Sequence, residues 1–173
     1  MTSGVRYHHH PTPVGDLLLT WSGGALTGLH FPTSEGDQGE SPEGTPDPAP
    51  FDAVRRQLDE YFTGDRRRFT LPLAPRGTAF QMKVWAALRE IPYGRAVSYG
   101  EVARRIGSPR AVRGVGGANG RNPIAIVIPC HRVIAADGSL GGYGGGVHRK
   151  RFLLGLEGWA PLDAPISGGP ALR

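Results

Sequence analysis

The sequence predicts a mixed α/β chain of two domains: a short antiparallel sheet with a helix, then a mostly helical domain built on a helix-turn-helix. Three observations carry this. Apolar stretches of strand length alternate with glycine turns between Tyr7 and Phe31. A stretch holding two prolines, Leu71 to Arg76, then interrupts the chain. Beyond it come two patterns of the capping-box type, at Thr78 and Ser98, each opening a helical run. A chain of 173 residues suits one medium domain or two small ones.

In the first domain, Leu17 to Trp21 and Leu26 to Phe31 read as strands, with turns at Val14-Gly15-Asp16 and Ser22-Gly23-Gly24. His8, His9 and His10 precede Pro11 and are expected as solvated loop histidines, because a metal site needs ligands that this stretch alone does not provide. Pro32 to Pro50 is rich in Gly, Pro, Ser and acidic residues and reads as a mobile surface loop. Phe51, Val54, Leu58, Tyr61 and Phe62 have helical spacing, ended by Gly64. Arg66, Arg67 and Arg68 read as a solvated charged turn. The expected boundaries are 1–72 for this domain, 73–76 for a linker, 77–158 for the second domain and 159–173 for a flexible tail.

The second domain opens with Thr78-Ala79-Phe80-Gln81, and its first helix places Phe80, Val84, Leu88 and Ile91 on one face, with Trp85 on the next stripe. Ser98-Tyr99-Gly100-Glu101 starts a short helix that Gly107 ends. Ser108 and Pro109, as N-cap and first helical residue, start another from about Arg110 to Asn119. Two short helices across a glycine turn form a helix-turn-helix. The second of them has almost no side-chain bulk at Gly114, Gly116, Gly117 and Ala118. A bare face admits another backbone closely, which suits either a narrow DNA groove or a second protein helix.

Charge favours the groove. Lys and Arg number 20 against 15 Asp and Glu, for a net charge of +5 and a pI near 9.9. From Arg95 to Arg132 there are seven arginines (95, 104, 105, 110, 113, 121, 132), no lysine and one acid, Glu101. Such a footprint matches phosphate contact. No basic-then-apolar leader and no long apolar run is present, so a cytoplasmic protein that does not enter membranes is expected. The single cysteine excludes an internal disulfide and fits a reducing compartment.

That cysteine, Cys130, follows the apolar run Ile124 to Ile128, read as a buried strand, and Pro129. A free cysteine is often inert core. Here Pro129 places it at an element end, His131 stands beside it as a base acting directly or through a water, and basic residues surround the pair. After it comes a glycine-dense loop, Gly138 to Gly146, around Tyr143. His148 to Gly158 is then a helix with Phe152, Leu153 and Leu156 as its buried face. Arg149, Lys150 and Arg151 crowd its positive end, which suggests service to an outside anion. Glu157 is placed to orient His131.

These residues resemble a known family. Pro129-Cys130-His131-Arg132-Val133, preceded by Asn122-Pro123 and by Arg113-Gly114-Val115-Gly116-Gly117-Ala118, is similar to the O6-alkylguanine-DNA alkyltransferases. The likeness covers about Gly77 to Gly158 and, more loosely, the first domain through Pro13-Val14-Gly15. It implies a ribonuclease-H-like first domain, a winged-helix-like second one, no cofactor and no metal. It implies direct-reversal repair: one irreversible transfer of the alkyl group of O6-alkylguanine, and of O4-alkylthymine, from a flipped-out nucleotide to Cys130. His131 then resembles the water-linked base, Glu157 its orienting partner, Tyr99 the donor to guanine N3 and Asn122 the hinge. Arg113 resembles the finger that fills the emptied stack, and Tyr143 belongs to the loop that closes over the base. Ser98, Gly116, Gly144, Lys150 and Arg132 fall among the expected substrate and DNA contacts. Some members carry a serine where this chain has Gly144, so a bond to guanine O6 from there must come from backbone N–H. The implied partner is double-stranded DNA bound through its minor groove by a monomer, with cooperative side-by-side binding left open. Two other classes fit fewer residues: an alkyltransferase-like lesion binder without an acceptor, which Cys130 argues against, and a cysteine hydrolase, which leaves the bare basic helix unexplained.

Overall fold

The structure, a computed structural model, describes residues 4–32 and 42–159. The chain divides into two compact units, 1–76 with 123–125, and 77–122 with 126–173. No helix among the described residues is long and apolar enough to cross a membrane.

The first unit is a four-stranded sheet of order β3-β2-β1-β4, with β1 at Arg6–Thr12, β2 at Gly15–Ser22, β3 at Ala25–His30 and β4 at Thr45–Pro46. Ser22 pairs with Ala25 across a two-residue turn in which Gly23 and Gly24 have φ of 60° and 82°. Positive φ at both turn residues matches the twist of a hairpin and explains two glycines there. Leu17 and Leu19 alternate inward on β2. Helix α1, Asp52–Phe62, contributes Val54, Leu58 and Tyr61 to the same core.

The three histidines lie within β1 rather than in a loop. His8 stacks on Phe51, and His10 is buried with Nε2 2.7 Å from Asp59 Oδ1 of α1. Their strand pairing with Leu17 to Leu19 overrides the loop expectation. Part of the expected mobile loop is also ordered: β4 adds to β1 in parallel because Thr45 N–H donates to Val5 O and Asp47 N–H to Tyr7 O. A single 3₁₀ turn at Ala49–Phe51 then leads into α1. Positions 33–41 of that expectation lie outside the described residues, as do 160–173 of the expected tail. The expected linker begins as an edge of this sheet, since Leu26 N–H donates to Pro72 O and Ala74 N–H to Leu26 O. Pro72 fits there because only its carbonyl is used. Arg66 is paired with Glu60 at 3.1 Å.

The second unit holds α2 (Ala79–Leu88), α3 (Tyr99–Arg105), α4 (Val112–Gly120) and α5 (Val147–Leu156), with a two-stranded parallel ladder of β5 (Val97–Ser98) and β6 (Val133–Ile134). Thr78 and Gln81 form the full reciprocal capping box of α2. At α3 only half forms: Ser98 accepts from Glu101 N–H, while the Glu101 carboxylate turns to Arg104 and Arg105. The start of α4 differs from the sequence reading. Ser108 to Ala111 makes a turn, and the helix begins at Val112 without a side-chain cap. Indole Nε1 of Trp85 donates to Ala118 O at 2.9 Å, which ties α2 to α4.

The glycines of α4 divide by face. A Cβ on Gly114 would stand 3.2 Å from the Phe80 ring, so that glycine serves helix packing. Positions 117 and 120 would meet nothing, so the bare side is open. The small residues therefore serve packing against α2 at Gly114 and leave an uncovered surface at Gly117 and Gly120.

Candidate active site

Ile124 to Cys130 is buried throughout, as an apolar run predicts, yet it is not a strand beyond the single bridge of Ile124 to Leu29. The backbone turns at Ile126, whose φ is 70°, in the left-handed region that a β-branched residue rarely enters. Pro129, at φ −81° and ψ 65°, then makes an inverse γ-turn in which Cys130 N–H donates to Ile128 O at 2.8 Å. Periodicity cannot separate a buried turn from a buried strand when every position is apolar. Two asparagine side chains satisfy this turn's carbonyls. Asn122 Nδ2 donates to Ile128 O at 2.7 Å and Asn119 Nδ2 to Cys130 O at 3.3 Å. Asn122 thus bridges the end of α4 to the cysteine turn. Asn119 was not singled out by the sequence; its only mark there is an amide side chain directly after the small residues Gly116 to Ala118.

Cys130 is 4% exposed, at the first position of a 3₁₀ turn, Cys130–Arg132. Its Sγ lies 3.7 Å from the hydroxyl of Tyr143, which brings the glycine loop over the thiol. Burial pushes the thiol pKa up; hydrogen bonds from Asn122 and Tyr143 and the charge of Lys150 pull against it. His131 is fully buried, with Nε2 2.7 Å from Glu157 Oε2. Burial first, then the Arg132 and Lys150 charges, hold its pKa below the ordinary value against the pull of Glu157. A neutral imidazole that donates from Nε2 to a carboxylate keeps its lone pair on Nδ1. Nδ1 is buried without a hydrogen-bond partner among the described residues, so it is the atom able to take a proton.

Tyr99 stands at the first position of α3, half-buried, and burial together with nearby Cys130 raises its pKa. Its hydroxyl therefore stays protonated and able to donate. A Cβ on Gly141 would come 3.6 Å from that hydroxyl, and one on Gly116 would stand 4.0 Å from the Tyr99 ring. A Cβ on Gly144 would approach Gly120 O at 3.7 Å. Ser98 is half-buried and serves as the N-cap of α3. Arg113 is exposed in the first turn of α4.

Two expected contacts with outside phosphate are corrected. Lys150 is fully buried and points inward: Nζ donates to Val133 O at 2.6 Å and lies 5.9 Å and 5.8 Å from the ring centres of Tyr99 and Tyr143. Burial lowers its pKa to about 8, while Cys130 works in the opposite direction. Arg132 is also buried. Its Nε and Nη2 donate to the two oxygens of Glu157 at 2.7 and 3.0 Å, and Nη1 donates to Ile91 O at 2.7 Å. The buried face of α5 is Lys150, Leu153 and Leu154, and Phe152 is exposed instead. Among the described residues, no three His, Cys, Asp or Glu side chains group as a metal site.

Comparison with known proteins gives one answer for both units. Residues 5–75 match the family model described as 6-O-methylguanine DNA methyltransferase, ribonuclease-like domain, and residues 79–159 match its DNA binding domain. The methylated-DNA–protein-cysteine methyltransferase of Mycobacterium tuberculosis is 49% identical over 163 residues, covering 94% of this chain and 98% of that one. The Haemophilus influenzae protein of the same name is 46% identical over 156 residues, covering 90% and 87%. Among solved structures, the M. tuberculosis O6-methylguanine methyltransferase superposes with a TM-score of 0.82 at 49% identity, covering 92% and 96% of the two chains. M. tuberculosis OGT in complex with DNA superposes at 0.81 with 50% identity, covering 88% and 92%. The chain therefore belongs to the 6-O-methylguanine DNA methyltransferase family, with both of the family's domains in the family's order.

Proposed function

We propose that this protein repairs DNA by direct reversal, taking the alkyl group of O6-alkylguanine onto Cys130 in a single irreversible step. The observation that carries this reading is a thiol flanked by Asn122 and Tyr143 and followed by the His131–Glu157 pair. A base stacked in a duplex cannot present its O6 substituent to the sulfur of a buried cysteine, so the nucleotide must leave the helix, at a cost of a few kcal/mol. The open side of α4, with exposed Arg110, Arg113 and Arg121 in or beside it, suits minor-groove docking, and Arg113 inserted into the emptied stack offsets the flip.

In the flipped state the thiol proton passes, through a water, to His131 Nδ1. The sulfur then attacks the alkyl carbon as the carbon–O6 bond breaks, and the leaving base carries away that electron pair. Donation from the Tyr99 hydroxyl to guanine N3 spreads the negative charge that develops on the base. The Lys150 ammonium favours the thiolate. A thioether has no leaving group that any side chain here can activate, so each molecule acts once.

Intact mass measured after mixing with a duplex containing one O6-methylguanine tests this. The expected result is one added methyl, mapped by peptide analysis to Cys130; an unchanged mass, or a methyl elsewhere, overturns the reading. O4-methylthymine is the second substrate to assay. The finger role makes its own prediction. Arg113→Ala should slow transfer from duplex DNA by roughly ten- to a hundredfold, the equivalent of a few kcal/mol of lost help with unstacking. On single strands, where flipping is cheap, the loss should be several times smaller. Equal loss on the two substrates would contradict insertion.

A further inference from the structure

Of the seven arginines between positions 95 and 132, Arg132 alone is buried, and the transfer chemistry above gives it no task. Its guanidinium uses three donors. Two hold the two oxygens of Glu157, and the third holds Ile91 O, three residues beyond α2. Glu157 accepts in addition from His131 Nε2 at 2.7 Å and from Gly94 N–H at 3.4 Å. Arg132 also lies 5.8 Å from the centre of the Tyr93 ring. The carboxylate that orients the base is thus shared, and its larger share goes to a permanent cation.

We infer that Arg132 is a positioning residue for alkyl transfer: by gripping both oxygens of Glu157 it fixes the carboxylate against His131 Nε2 and neutralises its charge, so that the imidazole rests neutral with Nδ1 open. This rests on the alkyl-transfer reading of the site. In a simple His–carboxylate pair the uncompensated anion stabilises imidazolium and raises the histidine pKa. A protonated His131 cannot take the thiol proton. The guanidinium cancels that effect without entering the reaction, since arginine does not lose its proton in this range. The charged and titratable groups about His131 are Cys130 and Arg132 on its own turn, Glu157 beyond α5 and Lys150 from α5. Helix α2, also packed on this turn, presents only Val84, Trp85 and Leu88 as buried side chains.

The test is the single-turnover methyl-transfer rate from pH 5 to 9, together with an NMR titration of the His131 ring in the DNA-free protein. Arg132→Gln should raise the His131 pKa and move the acid limb of the rate up by about one pH unit, a loss that approaches tenfold at the acid end of the range and largely recovers by pH 8.5. Arg132→Lys keeps the charge and should leave the limb in place despite a lower rate. The double variant Arg132→Gln/Glu157→Gln, with neither charge, should bring the limb back toward the wild-type position. Uniform loss across pH in Arg132→Gln, or a limb moved equally by Lys and Gln, would overturn the inference and leave Arg132 a structural brace. The NMR arm separates the two readings. A histidine shift without methyl uptake by the wild-type protein would retain the Arg132 pairing and remove the repair function.

Discussion

Cys130→Ser is expected to end methyl transfer, with a rate loss of about 10⁵ or more, comparable to deleting the nucleophile in other covalent catalysts. Binding to the same duplex should change little. The site is a poor place for any anion, because burial pushes the Cys130 pKa up. Sulfur tolerates this because it starts at 9.0, and Asn122, Tyr143 and Lys150 each favour its ionised form. A serine hydroxyl starts far higher, and the same three groups cannot make up the difference. The elements that would meet phosphate do not depend on the thiol: Arg113 is exposed on α4, and α4 is held by Trp85 and Phe80. Intact mass and a binding titration on one sample read both halves. A Ser variant that still gains a methyl, or that loses DNA binding in proportion, would refute the acceptor assignment.

What the sequence revealed, and what it hid, follows from the range of each interaction. Local signals were legible. The Thr78–Gln81 box, the Gly23-Gly24 hairpin turn and the glycine stops of α1 and α3 involve residues within four positions of one another. The His131–Glu157 pairing was also legible, because a histidine read as a base calls for a carboxylate to orient it. Composition misled where a residue's partner lay far along the chain. Arg132 and Lys150 counted as basic surface, yet Arg132 is turned inward by Glu157, 25 residues away, and Lys150 by Val133 O, 17 away. Thr45–Pro46 looked like loop because its stabilising bonds run to Val5 and Tyr7. The turn at Ile124 to Pro129 was hidden for a different reason: its carbonyls are satisfied by the amides of Asn119 and Asn122, while the run from Ile124 to Ile128 stays apolar without a break.

Glu157→Gln should lower stability at pH 7 by about 3–5 kcal/mol, since it leaves the buried Arg132 guanidinium without its counter-charge. The carboxyl sits at a pKa of about 2 against an ordinary 4.5. Burial alone would raise it; the His131 and Arg132 bonds and charges outweigh that. Near neutrality the imidazole is uncharged, so the guanidinium is the cation that holds Glu157 ionised there, and imidazolium joins it only in acid. The folded pKa is the depressed one. Its contribution, about 3 kcal/mol for this shift, is therefore complete above the unfolded value and fades as pH falls from about 4.5 toward about 2. Protonated Glu157 resembles glutamine in charge, so the two proteins should converge through that window. Urea unfolding of both at intervals from pH 7 down to pH 3 measures the gap directly. A gap that stays constant over that range would mean the carboxylate's charge contributes nothing to the fold, and Arg132 would then have to be held by its bond to Ile91 O and by Tyr93 alone.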